Sequence, residues 1–203
     1  MPGADVDAAD GQGLTPLHFA VNGDRIQIIE ALLEVGADLD KRDMWGITAL
    51  HRAATLHDPR ATALLLRAGA AVNLRSRGDD GTFSGGTPLE YSIRACNGGV
   101  AYGQGVLEQH RRPCPLLLRA GAFLPNEDFL RNYPQDLYIH RVVNAGGWAS
   151  YERLHLDRLA RMFAPRPDGG RRRSRRRRPN RLGRLPPELI RRVVGFWAHA
   201  GFY

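Results

Sequence analysis

One stretch of eleven residues decides the fold, because it occurs twice. Asp10-Gly11-Gln12-Gly13-Leu14-Thr15-Pro16-Leu17-His18-Phe19-Ala20 returns later in the chain as Asp43-Met44-Trp45-Gly46-Ile47-Thr48-Ala49-Leu50-His51-Arg52-Ala53. A second motif returns at the same offset, since Leu32-Leu33-Glu34-Val35-Gly36-Ala37-Asp38 is repeated as Leu65-Leu66-Arg67-Ala68-Gly69-Ala70-Ala71. Two motifs that share one period predict a solenoid of stacked supersecondary units.

The residue types inside each repeat predict two helices joined by a turn. Thr15 and Thr48 stand where a hydroxyl can cap the first helix, and Pro16 takes the first helical position, where an N–H is not needed. Gly36 and Gly69 stand where the second helix ends in a left-handed conformation. The second helix of the first repeat is predicted to bury four side chains, those of Ile28, Ile29, Leu32 and Leu33.

These motifs closely resemble the ankyrin-repeat family, whose repeat of about 33 residues carries a Thr-Pro-Leu-His-x-Ala signature. The resemblance implies an all-α solenoid of helix-turn-helix units with short hairpin loops and a helical C-terminal cap. It also implies that His18 and His51 brace their turns by hydrogen bonding instead of serving catalysis or metal binding. The expected role is a non-enzymatic scaffold that binds a partner protein.

A third repeat departs from the first two by having longer loops. It begins at Gly85-x-Thr87-Pro88-Leu89-Glu90 and closes at Leu116-Leu117-Leu118-Arg119-Ala120-Gly121-Ala122, with Glu90 in the place of the usual histidine. Six residues are added before its first helix and 13 between its helices. The added segments, around residues 77–81 and 97–105, are rich in glycine and predict surface loops, either partner contacts or tolerated excursions.

The sequence predicts four segments along the chain. Three ankyrin repeats occupy residues 1–124, a helical cap 125–164, an Arg-rich linker 165–184 and a C-terminal amphipathic helix 185–203. The cap is expected to cover the apolar face of the last repeat, with a helix-in-groove partner site as the alternative. Residues 4–7 align with residues 37–40, so either the first hairpin is unprotected or the chain is a fragment of a longer array.

The resemblance places the partner-binding surface on the hairpin tips and on the exposed face of the first helices. Positions three before and four after each threonine of the motif fall on those surfaces. The predicted partner-binding residues are Gln12, Phe19, Trp45, Arg52 and Tyr91, with Ser84 at the third hairpin. Aromatic and arginine side chains are the types that interface hot spots favour, and ordinary packing within each repeat is the alternative.

Positive charge is concentrated at the end of the chain. Residues 1–164 carry 17 basic and 19 acidic side chains, whereas residues 165–203 carry 12 arginines and two acidic residues. Seven of those arginines form one run: Arg171, Arg172, Arg173, Arg175, Arg176, Arg177 and Arg178. The run predicts a nuclear localisation signal, and the alternatives are a solvated spacer or a non-specific contact with nucleic acid or lipid.

The last segment predicts a docking helix with one apolar stripe. Its candidate docking residues are Leu185, Pro186, Leu189, Val193, Phe196 and Trp197. This opening resembles the first helix of an F-box and, more faintly, the C-terminal box of ankyrin proteins that serve other cullin ligases. The resemblance implies a substrate-recognition adaptor of a cullin-type ubiquitin ligase. The alternatives are a helix that folds back on the solenoid or pairs with another chain.

The composition argues against several other classes of protein. A hydrophobic fraction of 43% is too high for a disordered chain, and no stretch approaches the ~20 apolar residues of a membrane span. The start at Met1-Pro2-Gly3 and the two cysteines predict an intracellular protein of nucleus or cytoplasm. Cys96, His110 and Cys114 lack a fourth zinc ligand, nothing in the sequence supports a cysteine–histidine nucleophile, and residues 98–105 lack a P-loop lysine. No metal, cofactor or enzymatic activity is therefore predicted.

Overall fold

The computed structural model describes residues 4–77, 85–97, 113–134 and 136–163. Within those ranges it contains nine α-helices and no β-strand. They are α1 (Pro16–Asn22), α2 (Ile26–Glu34), α3 (Ala49–Thr55), α4 (Pro59–Ala68), α5 (Pro88–Asn97), α6 (Pro113–Arg119), α7 (Glu127–Arg131), α8 (Leu137–Asn144) and α9 (Trp148–Phe163). The predicted all-α repeat fold is confirmed.

The first six helices form three successive pairs. Within each pair the two helices contact one another, and helices of the same rank contact each other in chain order. A first-helix layer (α1, α3 and α5) therefore packs against a second-helix layer (α2, α4 and α6). This is the two-layer arrangement of a solenoid, in which each repeat is stabilised by its neighbours.

Equivalent leucines form the core between the two layers. Leu17, Leu50 and Leu89 occupy the same position in α1, α3 and α5, and none is more than 1% exposed. Leu65 and Leu117 are the matching buried residues of α4 and α6. Burying a leucine contributes about 2 kcal/mol, so this repeated position is a main source of stability.

The prediction for the buried face of α2 is wrong at one residue. Ile29 is fully buried and Leu32 and Leu33 are half-buried, but Ile28 is 44% exposed. The main contacts of α2 are with α1 and α4, and these cover only part of the helix. A stripe of four apolar residues is wider than the face that those two neighbours enclose.

Both predicted left-handed helix ends are confirmed. Gly36 follows α2 with φ at +84°, and Gly69 ends α4 with φ at +98°. A Cβ atom at either glycine would meet nothing within 4 Å. The backbone conformation alone therefore favours glycine at these positions.

The hairpin loops are joined from one repeat to the next by the backbone. The N–H of Met44 donates to the carbonyl of Gln12 across 2.9 Å, and the N–H of Arg77 donates to the carbonyl of Trp45 across 2.9 Å. In the third repeat, Ser76 N–H donates to the carbonyl of Gly86 across 3.0 Å. Residues 78–84, which lie between these paired ends, and residues 98–112, which carry the second insertion, are outside the described part of the chain.

A ladder of side-chain acceptors also links the repeats. Asp7 Oδ1 accepts from Asp38 N (3.0 Å), Asp40 Oδ1 accepts from Ala71 N (2.9 Å), and Asn73 Oδ1 accepts from Phe123 N (2.8 Å). The three acceptors occupy equivalent positions, each one period after the last. Residues 4–7, which the sequence aligns with the end of a repeat, thus supply the first rung of the ladder.

The chain divides into two compact units, Met1–His140 and Arg141–Tyr203. The first contains α1 to α7 and the start of α8. In the second, the rings of Tyr151 and His155 on α9 are stacked, with centroids 5.9 Å apart. Helices α7, α8 and α9 lie in the segment predicted as a helical cap, and the capping role itself stays a prediction.

Candidate partner-binding surface

Three of the five predicted partner-binding residues occupy one position of the first-helix layer. Phe19, Arg52 and Tyr91 each lie four residues after the capping threonine of their helix. Phe19 is 52% exposed, whereas Arg52 and Tyr91 are half-buried. The structure thus brings these residue positions into one row, and the last two residues have structural partners of their own.

Arg52 is held by an acidic residue of its own hairpin loop. Its Nη2 donates to Oδ2 of Asp43 across 2.7 Å, and the Asp43 side chain is completely buried. The other carboxylate oxygen of Asp43 accepts from the N–H groups of Trp45 and Ile47 at 3.0 and 2.9 Å. Asp43 therefore fixes the shape of the loop and the position of the arginine together.

Tyr91 is also held by a residue of its own hairpin loop, through a hydrogen bond instead of an ion pair. Its hydroxyl lies 3.0 Å from Oγ of Ser76, and its ring meets the His51 ring edge-on with centroids 5.2 Å apart. Ser76 and Tyr91 are the equivalents of Asp43 and Arg52 in the next repeat, once the insertion before α5 is allowed for. One repeat uses an ion pair where the next uses two hydroxyls.

The two predicted hairpin residues contribute their backbones to the fold. Gln12 is exposed and Trp45 is half-buried, and the carbonyl of each accepts the N–H of the following loop. Both residues lie in the hairpin loops, before the helices that carry Phe19 and Arg52. Ser84, the third predicted hairpin residue, lies outside the described residues.

The histidines brace the turns, as the sequence predicts. Nδ1 of His18 accepts from the N–H and the hydroxyl of Thr15 at 3.2 and 2.9 Å, and His51 does the same with Thr48. Nε2 then donates to a carbonyl of the next repeat, Ile47 for His18 and Gly86 for His51. Because an amide can only donate and a carbonyl can only accept, both rings are neutral with the proton on Nε2.

Burial keeps these imidazoles neutral. Burial lowers the pKa of His51 from 6.5 to about 4, and it also lowers the pKa of His18. A protonated ring would lose the Nδ1 acceptor that the threonine amide needs. Both ring nitrogens of these histidines are therefore used in hydrogen bonds that stabilise the repeats.

Glu90 replaces the histidine in the third repeat and makes one of its two contacts, the one with the capping threonine. Its Oε2 accepts from Thr87 N–H at 2.9 Å, and its own N–H donates to Thr87 Oγ1 at 3.3 Å. Nη1 of Arg75 lies 3.5 Å from the same carboxylate oxygen. A carboxylate has no N–H to donate onward, so the bond that Nε2 makes to the next repeat has no equivalent here.

In the part of the chain that the structure describes, no three histidine, cysteine, aspartate or glutamate residues lie together as potential metal ligands. Cys96 Sγ lies 3.8 Å from Nδ1 of His57, and the buried Cys114 Sγ lies 3.3 Å from Oγ of Ser92. The two thiols thus face different neighbours. His110, the third residue of the candidate zinc set, lies outside the described residues.

The predicted tail functions fall outside the described residues, which end at residue 163. This applies to the Arg171–Arg178 run and to the docking helix from Leu185 to Trp197. Among the described helices, none is long and apolar enough to cross a membrane.

The comparison with family models identifies the repeat type. Residues 1–76 match the model of ankyrin repeats (3 copies). This part of the chain is similar to ankyrin repeats. The match ends before Thr87, so the third predicted repeat rests on its own sequence and on the α5/α6 pair. No curated protein matches the chain.

The ankyrin match over residues 1–76 agrees with the helix pairs, the capping threonines and the bracing histidines, and the described helices form an all-α repeat fold. Ankyrin repeats are generally protein–protein interaction modules and are typically non-enzymatic. Sequence reasoning found the row of Phe19, Arg52 and Tyr91 but missed Asp43 and Ser76. Both stand at the position of Asp10, so a comparison of equivalent residues in successive repeats would have found them.

Proposed function

We propose that this protein binds a partner protein across the first-helix layer and the adjoining hairpin loops of its ankyrin repeats. The observation that carries the proposal is the row formed by Phe19, Arg52 and Tyr91. Phe19 leaves half of an aromatic ring uncovered, and Arg52 and Tyr91 are fixed beside it by partners within the fold. Side chains that are already ordered lose little conformational entropy on binding, which favours affinity.

The hairpin loops extend the proposed surface. Met44 is 57% exposed beside Trp45 at the tip of the second loop, while its backbone is fixed by Gln12. An exposed methionine next to a half-buried tryptophan offers apolar area on a rigid support. Aromatic anchors of this kind dominate the free energy of many interfaces, with about 2 kcal/mol or more lost on truncation.

The experiment that tests the proposal compares partner capture by full-length variants. Phe19→Ala removes an exposed ring from the proposed surface, and Val35→Ala is the matched control, because Val35 is 68% exposed at the end of α2 in the other layer. We expect proteins captured by the wild type to be retained by Val35→Ala and lost by Phe19→Ala. Equal capture by both variants would refute the proposed surface.

Finer roles rest on the sequence of the tail. The run from Arg171 to Arg178 supports nuclear localisation or a non-specific polyanion contact, and the segment Leu185-Pro186-Pro187-Glu188-Leu189 supports docking to a cullin ligase. A chain that ends at Arg184 separates these from the main proposal. Cullin-ligase components that disappear on this truncation, while other partners persist, would make the protein an adaptor.

A further inference from the structure

Arg94 carries a guanidinium that the described part of the chain leaves without an acidic partner. Its Nη1 is buried and has no hydrogen-bond acceptor there. Two other arginines of the repeats do have such partners, since Arg52 pairs with Asp43 and Arg75 with Glu90. Arg94 as a whole is only half-buried.

Aromatic rings hold this guanidinium in position. Cζ of Arg94 lies 5.5 Å from the ring centroid of Tyr91 and 5.2 Å from that of Phe129 on α7. The Phe129 ring is in turn 4.9 Å from the ring of Tyr133. Cation–π contacts fix a guanidinium without consuming its N–H groups, which remain available for hydrogen bonds in its plane.

Arg94 lies on the surface already proposed for the partner. It stands three residues after Tyr91 on α5, as Asn22 stands after Phe19 and Thr55 after Arg52. Residues three apart on a helix share a face. Asn22 and Thr55 are exposed, so Arg94 completes a second row beside the row of Phe19.

The charge of the array changes sign along its length. Residues 4–40 carry eight acidic side chains and one basic side chain, a net charge of −7. Residues 41–97 carry eight basic and five acidic side chains, a net charge of +3. Exposed Arg75 and Arg77 precede α5. An acidic segment is therefore repelled by the first repeat and attracted toward the third.

We propose that Arg94 binds a carboxylate of the partner, so that the partner presents an aspartate or glutamate side chain of a peptide segment to the third repeat. Arginine and carboxylate match in a planar, two-bonded geometry, and such charge-assisted bonds are about twice as strong as neutral ones. This inference rests on the proposed function, because it assigns the chemistry of a partner bound to the first-helix layer.

The test selects peptides from a random dodecapeptide library with the full-length chain. The arginines of the 171–178 run are changed to serine throughout, so that the tail does not collect acidic peptides by itself. We expect a consensus with Asp or Glu at one position. Arg94→Gln should abolish the preference at that position. Arg67→Gln is the control, because it removes the same charge from an exposed site on α4.

A binding isotherm on one selected peptide supplies a second measurement that leaves the protein unchanged. Replacing its acidic residue by Gln should weaken binding to the parent chain at least about tenfold, as expected for a charged hydrogen bond, and should change binding to Arg94→Gln little. Equal losses on both proteins would overturn the inference, even if Arg94→Gln also lowers stability.

The outcomes separate the inference from the proposed function. If Phe19→Ala weakens the selected peptides and Arg94→Gln does not, the first-helix surface stands and the carboxylate site is refuted. If neither variant changes the binding of a selected peptide, the peptides do not use this surface and the inference is refuted. If no peptide is selected, the inference is refuted as well, and the capture experiment with Phe19→Ala and Val35→Ala decides the proposed surface by itself.

Discussion

Asp43 and Arg52 form an ion pair of 2.7 Å that joins the second hairpin loop to helix α3. The Asp43 side chain is completely buried and the Arg52 side chain is 20% exposed, so water screens the pair only weakly. The pair lies within the proposed partner surface. It therefore has two roles, one in the stability of the repeat and one in holding Arg52 ready for a partner.

Arg52→Ala is expected to lower the free energy of unfolding by about 2 kcal/mol, because it leaves the buried Asp43 carboxylate with only its two backbone donors. Urea unfolding measures the change. Arg60→Ala is the matched control, since its pair with Asp24 is 3.6 Å long with side chains 71% and 63% exposed. Its effect should stay within about 0.5 kcal/mol, and equal losses in the two variants would contradict the prediction.

The stability of the array should depend on pH through His51. The pKa of His51 is about 4 in the folded chain and 6.5 when the ring is free in water. Between these values the unfolded chain binds a proton that the folded chain does not. The contribution of His51 to the free energy of unfolding is therefore fully present above pH 6.5. It is lost as the pH drops toward 4, by about 3 kcal/mol in total.

Urea unfolding at several pH values from about 7 to about 4.5 measures this dependence. His51→Gln cannot titrate and should show a shallower fall than the wild type over that range, although it is less stable at neutral pH. The carboxylates titrate in both proteins, so the difference between their slopes isolates the histidine. Parallel slopes would show that His51 is not the group responsible.

Much of the fold could be predicted because it follows from local rules. Thr15, Thr48, Gly36 and Gly69 act within one helical turn of their own positions, and the constant period of the repeat then places every copy. The row of Phe19, Arg52 and Tyr91 follows from the same period. What the period cannot supply is the surroundings of each member.

Exposure and pairing depend on which elements meet in space. Ile28 fits an apolar stripe, and only the positions of α1 and α4 show that it lies beyond their reach. Arg94 was missed because the ring of Phe129 comes from α7, on the far side of an insertion that breaks the period. No spacing in the sequence connects these two residues.

Glu90 should be replaceable only by a side chain that keeps its acceptor oxygen. Glu90→Ala removes the acceptor of the Thr87 N–H and should cost about 1 kcal/mol, the usual value of a helix cap. Glu90→Gln keeps an oxygen at that place and loses only the pair with Arg75, whose side chain is 61% exposed. Its loss should be clearly smaller. Denaturant midpoints measure both, and an equal loss in the two variants would assign the effect to the ion pair.

Two glycines with similar backbones should respond differently to alanine. Gly36 and Gly46 have φ at +84° and +77°, so alanine is strained at both by about 1 kcal/mol. A Cβ at Gly36 meets nothing within 4 Å, but at Gly46 it comes within 2.9 Å of the Arg77 nitrogen. That nitrogen donates to Trp45 in the contact between loops.

Gly46→Ala must therefore move the third loop away from the second, and we expect it to lose about 2 to 3 kcal/mol, against about 1 kcal/mol for Gly36→Ala. Chemical denaturation of the two full-length variants gives both values. Amide exchange adds a local readout, because the N–H of Arg77 should lose protection in Gly46→Ala and keep it in Gly36→Ala. Equal losses of stability with Arg77 still protected would mean that the loops adjust freely, and the rigid support assigned to Trp45 and Met44 would be lost.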